Sequence, residues 1–88
     1  MTVIDDVLAE RLAQDAQWGG PSHDDGHEPS EWLTFIKRQY DAAYAQIYTE
    51  DERARTFYRQ RLVKIAALAV AAVESLDRWD KQLRPPQR

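Results

Sequence analysis

RLVKIAALAVAAVESLDR, residues 61–78, decides how this chain folds. Eleven of its first thirteen residues are apolar, with Arg61 and Lys64 standing among them. The run without charge, residues 65–73, is nine residues long, about half of what a membrane span requires. No glycine or proline interrupts it, so the segment reads as a buried helix. Tyr58, Leu62, Ile65, Ala69, Ala72, Leu76, Trp79 and Leu83 recur at alternating fours and threes, a heptad seam. A second strip, Val63, Ala66, Val70 and Val73, lies beside it. A helix apolar almost all round must be covered on several sides. That expectation sets the rest of the reading.

Working outward, the expected helices run over about 3–16, 31–48 and 50–82, with a loop over 17–30 and a tail at 85–88. Together they give an all-α, single-domain chain over 1–84. Thr2 caps the first helix with Asp5 three residues on, and Val3, Ile4, Val7, Leu8 and Leu12 form its apolar stripe. Residues 18–30, WGGPSHDDGHEPS, hold all three glycines and two of the four prolines, a turn-rich loop. Ser30 is the expected cap of the second helix, whose apolar positions are Trp32, Phe35, Ile36, Tyr40, Ala43 and Ile47. TEDE at 49–52 reads as a capping box for the third. Two short helices cannot cover the long one, so packing against a second copy is expected: a homodimer or larger, with Leu62, Ile65, Ala69, Ala72, Leu76 and Trp79 at the interface.

Composition narrows the class. With 88 residues, 43% hydrophobic and 31% charged, this is a small globular domain. The absence of cysteine removes disulfides and Cys-based zinc sites and suits a cytoplasmic location. The acidic opening does not resemble a signal peptide, and nothing suggests a membrane partner. The net charge of −3 is split: residues 1–31 carry −7 and residues 32–88 carry +4. Such a division indicates pairing within the chain, or a basic surface kept for a phosphate or acidic partner. It is not basic enough for duplex DNA.

Three groups hold chemistry-bearing side chains. His23, Asp24, Asp25 and His27 are of metal-binding type, but the glycines and prolines around them read as a solvated turn. Glu74 and Asp77 form an ExxD pair, which either shares a divalent cation or pairs with Arg78 and Lys81 at a solvated helix end. Arg38, Arg61 and Lys64, within a wider basic set including Lys37, Arg53, Arg55 and Arg59, are the candidate anion contacts, since arginine suits bidentate phosphate recognition. The alternative for these cations is pairing with the acidic first helix. Trp18, Trp32, Tyr40, Tyr44, Tyr48, Phe57 and Tyr58 either stack a base or form core and interface. No Ser-His-Asp or Cys-His arrangement, P-loop or dinucleotide fingerprint is present, so no catalytic residue is assigned.

The order ERLAQDAQWGG (10–20), HDD (23–25), EWL (31–33) and YRQRLVKIAALAVAAVESLDR (58–78) resembles small phage and prophage proteins of the MazG-like group. That group is similar to the all-α nucleoside triphosphate pyrophosphohydrolases, and the likeness spans about residues 10–78. It implies a helical bundle dimerised through long helices. It also implies cleavage between the α and β phosphates, with magnesium held by glutamates of an EExxE motif on one helix and an ExxD-like motif on the next. This chain departs from that pattern. Arg38, Gln39 and Ala42 stand where EExxE is expected, Gln60 and Arg61 where an acidic pair is expected, and Lys64 at the last ligand position. Cations repel magnesium, and Glu74 lies about 220° round the helix from Arg61, so it cannot substitute. The expectation is therefore a non-catalytic protein with no cofactor that binds a nucleotide or other phosphorylated ligand through Arg38, Arg61 and Lys64. One alternative is a protein-interaction or anti-defence inhibitor of a host protein. The other is a magnesium-dependent pyrophosphohydrolase using Glu31, Asp41, Glu74 and Asp77.

Overall fold

The described residues form three helices, α1 (Val3–Trp18), α2 (Pro29–Gln46) and α3 (Glu52–Leu83), in an all-α fold with no strand among them. The computed structural model describes residues 2–20 and 26–83, the last five in backbone only. At 1.5 Å per residue the 32-residue α3 is about 48 Å long and the 18-residue α2 about 27 Å, so α3 outruns its neighbour. α2 and α3 form an antiparallel hairpin, while α1 lies along α3 on the other flank, and both pack on α3.

The helix ends follow local chemistry. At α1, Thr2 Oγ1 accepts from the Asp5 amide at 3.1 Å and the Asp5 carboxylate accepts from the Thr2 amide at 3.0 Å, the expected capping box. α1 runs two residues past expectation and stops at Gly19, whose φ of 102° is left-handed and whose amide donates to the Asp15 carbonyl at 2.9 Å. The other two caps differ from expectation. α2 starts at Pro29 because Glu28 and Glu31 make a capping box, the Glu28 amide donating to the Glu31 carboxylate at 3.0 Å, so Ser30 lies inside the first turn. α3 starts at Glu52 with Asp51 in the capping place, its carboxylate accepting from the Arg53 amide at 2.9 Å. An aspartate one residue from the helix reaches that amide more directly than Thr49 does.

The core is thin, and it is chosen by size. Its buried members are Val7, Trp32, Ala43, Ala54, Ala67 and Ala71, with Ser75 beside them. Ala67, Ala71 and Ser75 recur every fourth residue and form a narrow ridge on α3, on which the flanking helices approach closely. This ridge, not the heptad seam, is the face the chain itself covers. The seam lies roughly a third of a turn away. Leu62 and Leu76 stay 44% and 54% exposed, Ala69 is exposed, Ile65 and Ala72 are half-buried, and the Trp79 side chain is outside the described residues. The α1 stripe is also largely open: Val7 is buried, whereas Val3, Ile4, Leu8 and Leu12 are exposed.

Polar contacts hold α1 in place. Arg59 donates to Asp6 at 2.6 Å, Lys64 to Glu10 at 3.1 Å, and Arg11 to both Asp15 at 3.2 Å and Glu74 at 2.9 Å. The acidic front and basic back of the sequence thus pair within the chain, while Arg11 reverses the pattern by reaching a carboxylate of α3.

Two outcomes follow. Enlarging the ridge by Ala71→Leu overpacks a position 1% exposed and costs about 1–3 kcal/mol. In thermal melts that is a fall of about 4–8 °C per kcal/mol, whereas Ala45→Leu, on the exposed side of α2, shifts the midpoint little. The second concerns acid. Asp5 is held below its ordinary 3.8 by the Thr2 backbone amide and hydroxyl. Glu31 is held below 4.5 chiefly by the Glu28 amide, with His27 adding to it. Both carboxyls therefore contribute stability that is present above their unfolded values and lost as pH falls through the lower folded ones. After correction for the intrinsic slowing of amide exchange in acid, protection in the first turns of α1 and α2 should fall on acidification before that in the middle of α3, and Asp5→Asn should remove that pH dependence from α1.

Candidate functional site

The hairpin has two unlike sides. On the side where α1 lies, a cleft of about 450 Å³ opens between α1 and α2 above α3. Its size falls within the range of small-molecule sites. α1 contributes Glu10, Gln14, Gln17 and Trp18, α2 contributes Phe35, Arg38 and Gln39, and α3 contributes Lys64 and Leu68. Helical spacing explains the set: Gln14, Gln17 and Trp18, like Phe35, Arg38 and Gln39, are three and four apart and share a face. Lys64 and Leu68 are one turn apart, and they form the floor.

The cleft is graded. Trp18, Phe35 and His27 line its aromatic end. His27 packs edge-on to Trp32 and Phe35, with ring centres 5.1 and 5.0 Å apart, and its Nδ1 lies 3.4 Å from the Glu31 carboxylate. At the polar end Lys64 meets Glu10, and Arg38 has an exposed side chain with no ion pair among the described residues. Arg61 stands just behind, donating to the Gln39 side-chain oxygen at 3.1 Å in a part-buried contact. Of the three candidate anion contacts, Arg38 and Lys64 thus line one cleft, and Arg61 reaches it through Gln39. Both Arg61 and Lys64 already hold a protein partner, which a ligand would have to share or displace.

The carboxylates do not gather. Glu74 is engaged by Arg11, Asp41 by Lys37 at 2.9 Å, and Glu31 by its cap and His27, while Asp77 is exposed. Glu74 pairs across to α1. Among the described residues no three metal-ligating side chains converge; His23 and Asp24 lie outside them. His27 is taken up in ring packing.

Sequence reasoning did not find the amides. Gln14 and Gln17 carry no signal in the sequence beyond their spacing with Trp18, and Gln39 stands out only as a departure from EExxE, yet all three line the cleft with donors and acceptors. Conversely, Tyr40, Tyr44 and Tyr48 do not line it. Their rings follow one another along α2 and just past its end, tilted at 5.9 Å and edge-on at 5.7 Å, the last two joined hydroxyl to hydroxyl at 3.2 Å.

The opposite side of the hairpin is apolar. Trp32, Leu33 and Ile36 face Ala72, Val73 and Leu76 across an open groove of about 620 Å³, while a smaller one near the hairpin turn is lined by Ile47 and Tyr58 together with Glu50, Asp51, Glu52 and Arg55. Among the described residues no helix is long and apolar enough to cross a membrane. In comparisons with known proteins no family model matches the chain, and no curated protein or solved structure is significantly similar to it.

Proposed function

We propose that this chain is a non-catalytic binding protein, self-associating through α3, whose ligand is a nucleotide or another phosphorylated group held in the cleft between α1 and α2. The observation that carries the reading is the grading of one cleft from Trp18 and Phe35 to Arg38 and Lys64. An aromatic ring at one end and cations at the other suit a ligand that combines a ring with a phosphate. Arg38 is the first contact for the phosphate. Lys64 joins it by exchanging Glu10 for the ligand, and Gln39 relays Arg61. The amides of Gln14 and Gln17 give the ring edge hydrogen-bonding partners.

The resemblance to MazG-like proteins supports a nucleotide as ligand. The cations and amides at the positions of that family's metal-binding acids argue against its chemistry. Glu10 is the cleft's only carboxylate among the described residues, and it is paired with a lysine. A second reading, a protein-interaction or anti-defence role against a host protein, is favoured by the open edge of α1, where Ile4, Leu8 and Leu12 are 66%, 55% and 70% exposed.

Thermal shift against inorganic phosphate and nucleoside mono-, di- and triphosphates, with and without magnesium, separates these. A ligand at about 100 times its dissociation constant adds about 2.7 kcal/mol, a rise of several degrees. The expected result is a magnesium-independent rise that weakens with salt and disappears in Arg38→Glu. A rise that requires magnesium, with pyrophosphate released, overturns the reading in favour of the hydrolase. No shift under any condition turns the question to a protein partner, whose binding should then be lost in Leu8→Glu.

A further inference from the structure

We infer that α1 is a self-inhibitory strap on the cleft: the Glu10 carboxylate occupies the place of an anion on Lys64, and an anion that takes Lys64 loosens α1 from α3. This deepens the reading of the cleft as a phosphate site and rests on that reading for its ligand.

The surroundings of Glu10 are those of a bound anion. Its Oε2 accepts from the Lys64 ammonium at 3.1 Å and from the Gln14 side-chain amide at 3.4 Å. Lys64, Gln14 and Glu10 all line the cleft, and Arg38 lines it from the α2 wall. Both contacts are part-buried and the Glu10 side chain is 21% exposed, so the carboxylate lies within the lining and not out in solvent. A phosphate oxygen calls for the same two donors. The chain thus carries its own occupant, held at the high local concentration that attachment to α1 gives it. An anion entering beside Arg38 gains Lys64 and Gln14 only as Glu10 leaves them.

The same carboxylate helps to seat α1. Val7 is the buried apolar side chain of this helix, whereas Ile4, Leu8 and Leu12 are exposed. Ion pairs to α3 add to that anchor: Asp6 with Arg59 at 2.6 Å, Glu10 with Lys64, and Glu74 with Arg11 at 2.9 Å. Pairs of this exposure are individually weak and are screened by salt. By contrast, α2 buries Trp32 and Ala43. α1 is therefore the helix that is cheapest to lift.

Binding and seating are linked through Lys64. Because an anion and Glu10 compete for it, whatever loosens α1 raises the affinity for the anion, and the anion loosens α1 by the same factor. The linkage separates a strap from plain repulsion by a nearby carboxylate. Repulsion acts through the charge of Glu10 alone. A strap also responds to Val7, a neutral side chain that does not line the cleft.

Hydrogen exchange of the full chain, at constant pH and ionic strength and with inorganic phosphate as the probe, reads the strap directly. Phosphate should lower protection along α1 without lowering it in the middle of α3. Glu10→Gln should lower α1 protection in the absence of phosphate and tighten phosphate binding about two- to fivefold. Val7→Ala should do both with no change of charge. The inference is overturned if phosphate binds the wild type and α1 protection holds or rises. It is equally overturned if Glu10→Gln leaves the affinity unchanged, or if Val7→Ala lowers α1 protection without tightening phosphate. In those cases loss of binding in Arg38→Glu keeps the cleft reading standing. If neither the wild type nor either α1 variant binds phosphate, the cleft reading itself fails and the strap falls with it.

Discussion

α3 is apolar nearly all the way round for three turns, while among the described residues two shorter helices lie against it. Everything else in the fold follows from how that shortage is met. The face that is covered is the one with the smallest side chains, Ala67, Ala71 and Ser75, because close approach of helix axes needs small residues at the crossing. Burying alanines removes little apolar surface, roughly 0.8 kcal/mol for each methyl-sized group, against about 1.5–3 kcal/mol for a leucine. The larger side chains that would contribute more remain at the surface. A domain of 88 residues already has little core to spare, so much apolar surface stays exposed.

α1 is attached differently. Its inward positions include Glu10, Arg11 and Gln14, so its docking on α3 rests on Val7 and on ion pairs reaching Arg59, Lys64 and Glu74. Pairs of this exposure are worth about 0–1 kcal/mol each, and their role is to fix where α1 lies along α3. That placement matters chemically. It stands α1 away from α2 far enough to leave the cleft open, and it directs Gln14, Gln17 and Trp18 to line it. The same pairs occupy Lys64, so the charge offered to an anion in the cleft comes first from Arg38.

The two sides of the hairpin are thus divided by polarity. One is a graded cleft with cations, amides and rings; the other is a largely apolar groove with Glu28 in its lining. Trp32 is buried where they approach each other, and His27, edge-on to Trp32 and Phe35, lines both. The helical repeat produces this division without any special device: along α2, Phe35, Arg38 and Gln39 face one way and Leu33, Tyr40, Tyr44 and Ile47 the other.

Much of the architecture was legible beforehand. Three helices, the Thr2–Asp5 box, the WGG stop and the long third helix follow from periodicity, capping chemistry and glycine conformation, all properties of neighbouring residues. The ends shifted by two residues where a competing cap, Glu28 or Asp51, had the better reach. The candidate cations were also identifiable by type, and Arg38 and Lys64 do share a cleft. What periodicity cannot settle is which stripe of a helix apolar on every side turns inward; the heptad seam has the stronger pattern, yet the alanine ridge is the one covered. Nor can it tell that Lys64 meets Glu10, or that three glutamines line the cleft, since those depend on the lateral position of α1. Local sequence determined the helices and their ends. Tertiary structure alone decided which faces meet, because that choice depends on side-chain size at the crossing and on charges more than fifty residues apart.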